Sequence, residues 1–234
     1  MQLVVLAGGL GTRLGTVASN VPKALVPVAG RPFVEHQLEL FRLHNLDQIL
    51  FCTGHLGEMI ERHVGDGSKF GVSAMYSREA PESLLGTAGA LVNALPQLAE
   101  EFLVIYGDSY LPTDLRAFVE WSRLSGSPAA MTVFHNAGQW DKSNVRVAGR
   151  KVVFYSKDAP VGECDFIDYG LSYFKRAVIE SYFGSPLPLD LGFVHRQLVA
   201  KGLLDAFEVS ERFYEVGTPK GVDELGKYLA ERRL

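Results

Sequence analysis

The chain has 234 residues, 47% hydrophobic and 21% charged, and its 23 basic against 27 acidic side chains give a net charge of −4. That length suits one α/β domain that buries ~70–75% of its unfolded surface without a disulfide or metal staple, and the composition excludes a disordered chain. The acidic balance argues against nucleic acid as a general partner, and the apolar run at residues 3–7 is far shorter than the ~18–20 residues of a membrane span.

The opening Met-Gln-Leu-Val-Val-Leu-Ala-Gly-Gly has no basic stretch ahead of its apolar one, which reads as a first strand and not a signal peptide. The apolar pattern predicts a buried strand at 3–6 and a glycine-rich loop at 7–15. Pro32 suits the first turn of a helix running to about 44, with Val34, Leu38 and Phe41 on one face. A strand at 49–52, a short helix at 58–64 broken by Gly65-Asp66-Gly67, and a strand at 72–76 follow. Residues 86–95 suit a helix stopped by Pro96, and 102–106 an apolar strand ending in Gly107-Asp108. This alternation predicts a mostly parallel sheet with helices on both faces. Beyond it come a strand at 131–135 and a hairpin of 145–147 with 151–155 around Ala148-Gly149-Arg150. A strand at 167–174, a helix at 190–200, a short strand at 213–216 and a final helix from about 220 complete the chain. The expected sheet is therefore mixed.

Charge is unevenly placed. Residues 1–34 contain no Asp or Glu but hold Arg13, Lys23 and Arg31, which points to a local anion site. Within that stretch lies Leu6-Ala7-Gly8-Gly9-Leu10-Gly11-Thr12-Arg13-Leu14, followed by Pro22-Lys23. Glycines let backbone N–H groups approach phosphate oxygens, Arg13 offers a bidentate fork and Lys23 a point charge. A dinucleotide fingerprint fails here, because Leu14 stands at the third glycine and no acid follows about 20 residues on, so NAD is not expected. A P-loop fails for want of Gly-Lys-Ser/Thr. A ligand-free turn would not require Arg13 and Lys23 together. Cys52 and Cys164 form no Cys-x-x-Cys pair and no zinc-spaced cluster, which fits a reducing cytoplasm. Cys52, His55 and His63 read as a buried thiol and surface imidazoles.

These residues bring out a resemblance. The chain resembles the sugar-1-phosphate nucleotidylyltransferases, whose signature is Gly-Gly-x-Gly-Thr-Arg-Leu with a following Pro-Lys. The likeness runs on through Gly65-Asp66-Gly67-Ser68-Lys69-Phe70-Gly71, Leu85-Gly86-Thr87-Ala88-Gly89, Tyr106-Gly107-Asp108 and Gly217-Thr218-Pro219. Within that family, the short length, the 65–71 stretch and Ile167-Asp168-Tyr169-Gly170-Leu171 look most like the D-glycero-α-D-manno-heptose 1-phosphate guanylyltransferases. The resemblance implies a single Rossmann-like nucleotidyltransferase domain over 1–234, an α/β fold. A nucleotide-binding half would run to about 112, and a sugar-phosphate half (about 113–234) would add the hairpin as a wall for the sugar. It implies a cytoplasmic, Mg²⁺-dependent enzyme making an NDP-sugar and pyrophosphate. GTP and heptose 1-phosphate are the expected substrates, in surface-polysaccharide or capsule synthesis. A mannose 1-phosphate guanylyltransferase, a uridylyl- or thymidylyltransferase, and a noncatalytic nucleotide-sugar regulator are the alternatives. Neither nucleic acid nor a membrane is an expected partner, a homodimer stays open, and the hexapeptide-repeat acyltransferase module of some relatives is not expected.

Site residues follow by the same resemblance. Leu6, Ala7, Gly8, Gly9, Gly11, Thr12, Arg13, Lys23, Glu79, Gly86 and Thr87 are expected around the nucleotide, with Arg13, Lys23 and Asp108 carrying catalysis. Asp108 is the expected Mg²⁺ ligand. Glu215 stands where the family usually has an Asp two residues before Gly-Thr, and is divided between a metal and a sugar role. Gly107, Asn144, Lys157, Asp168, Tyr169 and Glu215 are expected on the sugar-phosphate side. In relatives a Gln or Glu just before Leu-Gly-Thr meets the base, which makes Glu79 or Glu82 the reader here, and Glu79 is favoured because it directly follows a strand. An ionised carboxylate only accepts hydrogen bonds, and guanine presents two adjacent donors, hence the expected preference for GTP over UTP and dTTP.

Overall fold

A computed structural model of the chain describes residues 1–9, 21–80, 85–136 and 138–232. The first half is built on short apolar runs buried on both faces. β1 (Gln2–Ala7) carries Leu3, Val4 and Val5, each at most 1% exposed. A small hairpin, β2 (Pro27–Val28) and β3 (Arg31–Pro32), leads into α1 (Phe33–Leu43), whose Phe33, Val34, Leu38 and Phe41 are fully buried. β4 (Gln48–Thr53), α2 (Gly57–Val64), β5 (Ser73–Arg78), α3 (Thr87–Asn93) and β6 (Glu101–Tyr106) complete it. The strands lie in the order β5-β4-β1-β6, all parallel, as buried apolar strands joined by helices demand.

The second half extends the same sheet. Its elements are β7 (Ser109–Tyr110), α4 (Leu115–Ser125), β8 (Ala129–His135), β9 (Val145–Ala148), β10 (Lys151–Tyr155), β11 (Phe166–Lys175) and α5 (Arg176–Glu180). Then follow α6 (Leu191–Ala200), β12 (Leu204–Val209), β13 (Tyr214–Glu215) and α7 (Pro219–Glu231). Among the described residues the large sheet has nine strands, β5-β4-β1-β6-β11-β8-β12-β10-β9. β11 runs antiparallel to both β6 and β8, while β12 lies parallel to β8. The sheet is mixed, as expected, but the Rossmann-like, mostly parallel order expected for it is corrected. The parallel order holds for the first four strands, and from β11 onward antiparallel pairings between β6 and β11, β11 and β8, β12 and β10, and β10 and β9 make the sheet mixed. The expected hairpin wall, β9 with β10, is the edge of this sheet.

Apolar side chains cover both faces. One layer joins α1, α2, α4 and α7 through Phe41, Ile60, Phe118 and Leu225; the other joins α3, α5 and α6 through Leu91, Ile179 and Val194. β12, α4 and α5 were not foreseen. β12 escapes the apolar pattern because Asp205 points inward, fully buried. Its carboxylate takes the Ser127 hydroxyl at 2.7 Å and pairs with Lys151 and Arg150, the residues that turn and begin β10. No described helix is long and apolar enough to cross a membrane.

Candidate active site

Parallel strands present their carboxyl ends on one side of the sheet, where α/β proteins bind ligands. Here the ends of β1 and β6 open into a cavity of about 480 Å³. Leu6, Ala7, Gly8 and Gly9 form one wall, and Gly86 and Thr87 another; Lys23, Gly107 and Asp108 line one end. Cys52, Ile60 and Ala90 give an apolar lining. Every described residue expected at the nucleotide therefore faces one cavity. Gly11, Thr12 and Arg13 lie outside the described residues, as does Glu82.

Two glycines explain the close approach of the walls. Gly107 donates its N–H to Leu6 O at 2.9 Å, and a Cβ there would sit 2.8 Å from that same carbonyl oxygen. Gly86 has φ +76°, and a Cβ would meet the Leu189 carbonyl at 2.5 Å. Both features select glycine. The Leu189 carbonyl accepts from Ala88 and Gly89 N–H at 2.9 and 3.0 Å, while Leu189 N–H donates to Leu85 O at 2.8 Å. The Leu-Gly-Thr wall is thus stitched to the segment entering α6.

At the cavity's end Lys23 Nζ lies 2.8 Å from Asp108 Oδ2, with side chains 17% and 27% exposed. β13 pairs with β7, placing Glu215 opposite Ser109, and Val216 N–H donates to Asp108 O at 2.7 Å. The backbone of Glu215–Val216 is thereby held against the turn that carries Asp108. Carboxylate oxygens are hard donors that fit Mg²⁺, which takes one or two carboxylates and leaves its other positions to phosphate oxygens and water. A cationic ammonium already rests on Asp108, so the carboxylate lies where positive charge is stabilised. No group of three or more His, Cys, Asp or Glu side chains placed to hold a metal ion is found among the described residues.

Glu79 lies against Gly8, with Oε1 3.1 Å from where a Gly8 Cβ would be. Burial pushes its carboxyl pKa up, partly offset by the Leu85 N–H donated to it. Burial, and then the Glu79 charge, pushes the Cys52 thiol up to about 12, so Cys52 is an inert lining group. Both cysteines are unpaired and buried. His63 is not a lone imidazole: its Nε2 lies 3.0 Å from Glu35 Oε1.

The residues expected on the sugar side fall into two groups. Asp168, on β11, accepts from the Tyr155 hydroxyl at 3.2 Å and from Gly170 N–H at 3.0 Å, while its own N–H donates to Asn144 Oδ1 at 2.9 Å. Asn144 thus orients Asp168 from the start of the hairpin. At the hairpin's other end Lys157 Nζ contacts both carboxylate oxygens of Asp190 at 3.1 and 3.0 Å. Tyr169 is different: it is 1% exposed and packs edge-on against Phe213. Its ring fills the core layer of α1 and α7, which corrects its expected place at the sugar, since alternate residues of a strand face opposite sides. The Tyr106 ring lines the cavity. Burial holds its hydroxyl well above the usual tyrosine range, reinforced by the charges of Asp168, Asp190, Asp108 and Glu215. Tyr106 therefore feels the negative charge of both expected substrate regions. Asp190 escaped the sequence reading because an Asp opening a helix looks like an ordinary cap.

The family model described as "Nucleotidyl transferase" matches residues 2–142. The chain is similar to the D-glycero-α-D-manno-heptose 1-phosphate guanylyltransferase of Aneurinibacillus thermoaerophilus, 37% identical over 121 residues, 51% of each chain. It is also similar to the UTP–glucose-1-phosphate uridylyltransferase of Synechocystis sp., 35% identical over 141 residues, 56% of this chain and 36% of that one. The matches thus span about half or less of these curated relatives' own length. Among solved structures, a Bacillus anthracis protein provisionally named a glucose-1-phosphate thymidylyltransferase superposes with a TM-score of 0.84 at 22% identity, covering 97% of this chain and 94% of that one. HddC from Yersinia pseudotuberculosis superposes with a TM-score of 0.78, also at 22% identity, covering 97% and 99%. These two likenesses carry the fold.

Proposed function

We propose, since the chain belongs to the nucleotidyl transferase family, that it joins a nucleoside triphosphate to a sugar 1-phosphate, releasing pyrophosphate and an NDP-sugar. GTP and a heptose 1-phosphate are the favoured pair. The observation that carries the reading is the Lys23–Asp108 pair at the end of a cavity walled by Gly8, Gly9 and Gly86.

In this mechanism an oxygen of the sugar phosphate attacks the α-phosphorus. The new P–O bond forms as the bond to the β-phosphate oxygen breaks, and pyrophosphate leaves in line. The attacking oxygen is already anionic, so no general base is required, and catalysis reduces to positioning and charge neutralisation. Lys23 transfers its ammonium from Asp108 to the triphosphate, and Arg13 adds a forked phosphate contact. Asp108 would hold Mg²⁺, with Glu215 as a second ligand or a sugar contact. When bound, that ion offsets negative charge on the phosphate oxygens. Lys157 offsets repulsion between the two phosphorylated substrates, and Asp168 accepts from sugar hydroxyls. Glu79 faces the base and accepts from guanine N1–H and the exocyclic amine. The 37% identity to a heptose guanylyltransferase supports this choice.

A matrix of GTP, UTP, dTTP, CTP and ATP against heptose, mannose and glucose 1-phosphates, read by pyrophosphate release, tests the proposal. GTP with a heptose or mannose 1-phosphate is expected to lead. Preferential use of UTP with glucose 1-phosphate would favour a uridylyltransferase, the reading that the Synechocystis relative supports. Release from no pair would leave a noncatalytic binder.

A further inference from the structure

Asp190 is the point where three separate stretches of chain meet. Its Oδ1 accepts the Gly192 N–H at 2.7 Å, capping α6. Its Oδ1 and Oδ2 hold the Lys157 ammonium at 3.1 and 3.0 Å. Oδ2 also lies 3.5 Å from Thr87 Oγ1, which itself accepts the Leu191 N–H at 2.7 Å. Thr87 lines the nucleotide cavity, and Lys157 ends the hairpin that carries the sugar side. The carboxylate therefore sits on the seam between the two halves of the site.

Capping alone does not account for this arrangement. A cap needs one acceptor oxygen, yet Asp190 also takes a lysine on both of its oxygens. Stability does not account for it either, because the two side chains are 49% and 48% exposed and ion pairs that open to water contribute little. What the pairing does achieve is geometric. A lysine stem with four rotatable bonds is held over the junction of the two pockets instead of ranging through solvent. Burial alone would push the Asp190 carboxyl up; Lys157 and the Gly192 N–H outweigh it and hold the carboxyl below its usual range, so the pairing charge is present at neutral pH.

We propose that Asp190 is the positioning residue for Lys157. It holds the ammonium ready at the seam and releases it to the phosphate of the second substrate, while Thr87 ties the same helix start to the nucleotide wall. This inference rests on the proposed transfer reaction and adds to it a residue with no contact to the reacting atoms.

The test uses the full chain and the most productive pair from the substrate matrix. Asp190→Asn keeps a cap of equal rank and removes only the charge. The expected result is an unchanged Tm, a fall of about tenfold in kcat/KM for the sugar 1-phosphate, and a KM for the NTP within about twofold of wild type. Lys157→Gln should show the same pattern, and adding Asp190→Asn to it should cost nothing further, because Asp190 acts through Lys157. An active wild type with an unaffected Asp190→Asn variant, or fully additive losses in the double variant, overturns the inference and leaves the transfer activity standing. A wild type inactive on every pair overturns both. Should Asp190→Asn lower the Tm, Asp190→Ser, which also caps, is measured in its place against the same cycle.

Discussion

Lys23 and Asp108 are separated by 85 positions in the chain and meet at 2.8 Å. Asp108 comes from the turn between β6 and β7, and Lys23 is the first residue of a 3-10 turn ahead of β2. If this pair handles the triphosphate, Asp108→Asn should cut turnover by at least ~100-fold, the scale of losing one strong transition-state stabiliser. Lys23→Gln should lower kcat/KM for the NTP in parallel. The pair is only 17% and 27% exposed, so each change should also cost about 1–3 kcal/mol by leaving a part-buried charge unpaired, while the chain still folds. Near-normal turnover of Asp108→Asn at limiting Mg²⁺ would remove that residue from the mechanism.

Base choice should depend on pH. Burial raises the Glu79 carboxyl above its ordinary value, so protonation sets in at a higher pH than for an exposed Glu. A protonated carboxyl donates one hydrogen bond and loses the acceptor pair that suits guanine. The ratio of GTP to UTP use should therefore fall as pH drops through this raised pKa. Glu79→Gln should lower the ratio at neutral pH and flatten its pH dependence. Competition between the two nucleotides across the acid range measures both effects.

Gly86→Ala should damage the nucleotide wall and the fold together. The residue sits at φ +76° with the Leu189 carbonyl where a methyl would go. Strain at such a position costs more than about 1 kcal/mol. A lowered denaturation midpoint with a raised KM for the NTP is expected. Wild-type values for both would show that the 85–89 segment shifts freely.

Asp205→Ala should act on stability alone. The carboxylate is fully buried and serves Ser127, Lys151 and Arg150. Its loss leaves a buried hydroxyl without its acceptor and two cations without their anion, although Arg150 keeps Ser125 O and Lys151 keeps Ser127 Oγ, at about 2–3 kcal/mol. Lys151 and Arg150 are 37% and 59% exposed, which keeps the cost below that of a sealed pair. Urea titration measures it. Activity at low temperature should persist, since Asp205 lies near the amino end of β12, at the opposite end of the sheet from the cleft.

Much of this arrangement is legible before any coordinates. The runs around Val4, Leu50 and Val104 are apolar on both faces, so a parallel sheet follows from them directly. The glycine-rich opening and Lys23 read as an anion site from residue type, while the metal role of Asp108 is implied only by the resemblance. What stays hidden is whatever depends on a polar group used structurally. β12 is masked by the inward Asp205, and Asp190 reads as a cap until Lys157 is seen to reach it. Tyr169 shows the opposite failure. It adjoins Asp168 in sequence, and only the alternation of a strand reveals that its ring belongs to the core.

β11 joins the nucleotide strands to the rest of the sheet through five paired positions with β6, Leu171 to Lys175. Asp168 stands just before a shift of register against β8, with Gly170 at φ +98° within that shift. Adjacent strands lie ~4.8 Å apart, so the ladder acts as a ruler between the strand that leads to Asp108 and the one that bears Asp168. On the proposed reaction, the distance between the two substrate sites would be set by hydrogen-bond spacing and not by how far a hinge swings. Deleting one residue between Asp168 and Leu171 would turn the carboxylate to the face that now buries Tyr169. A sugar with an added or missing carbon between hydroxyl and phosphate would read on that ruler as a misfit, with nothing in the ladder able to stretch to meet it.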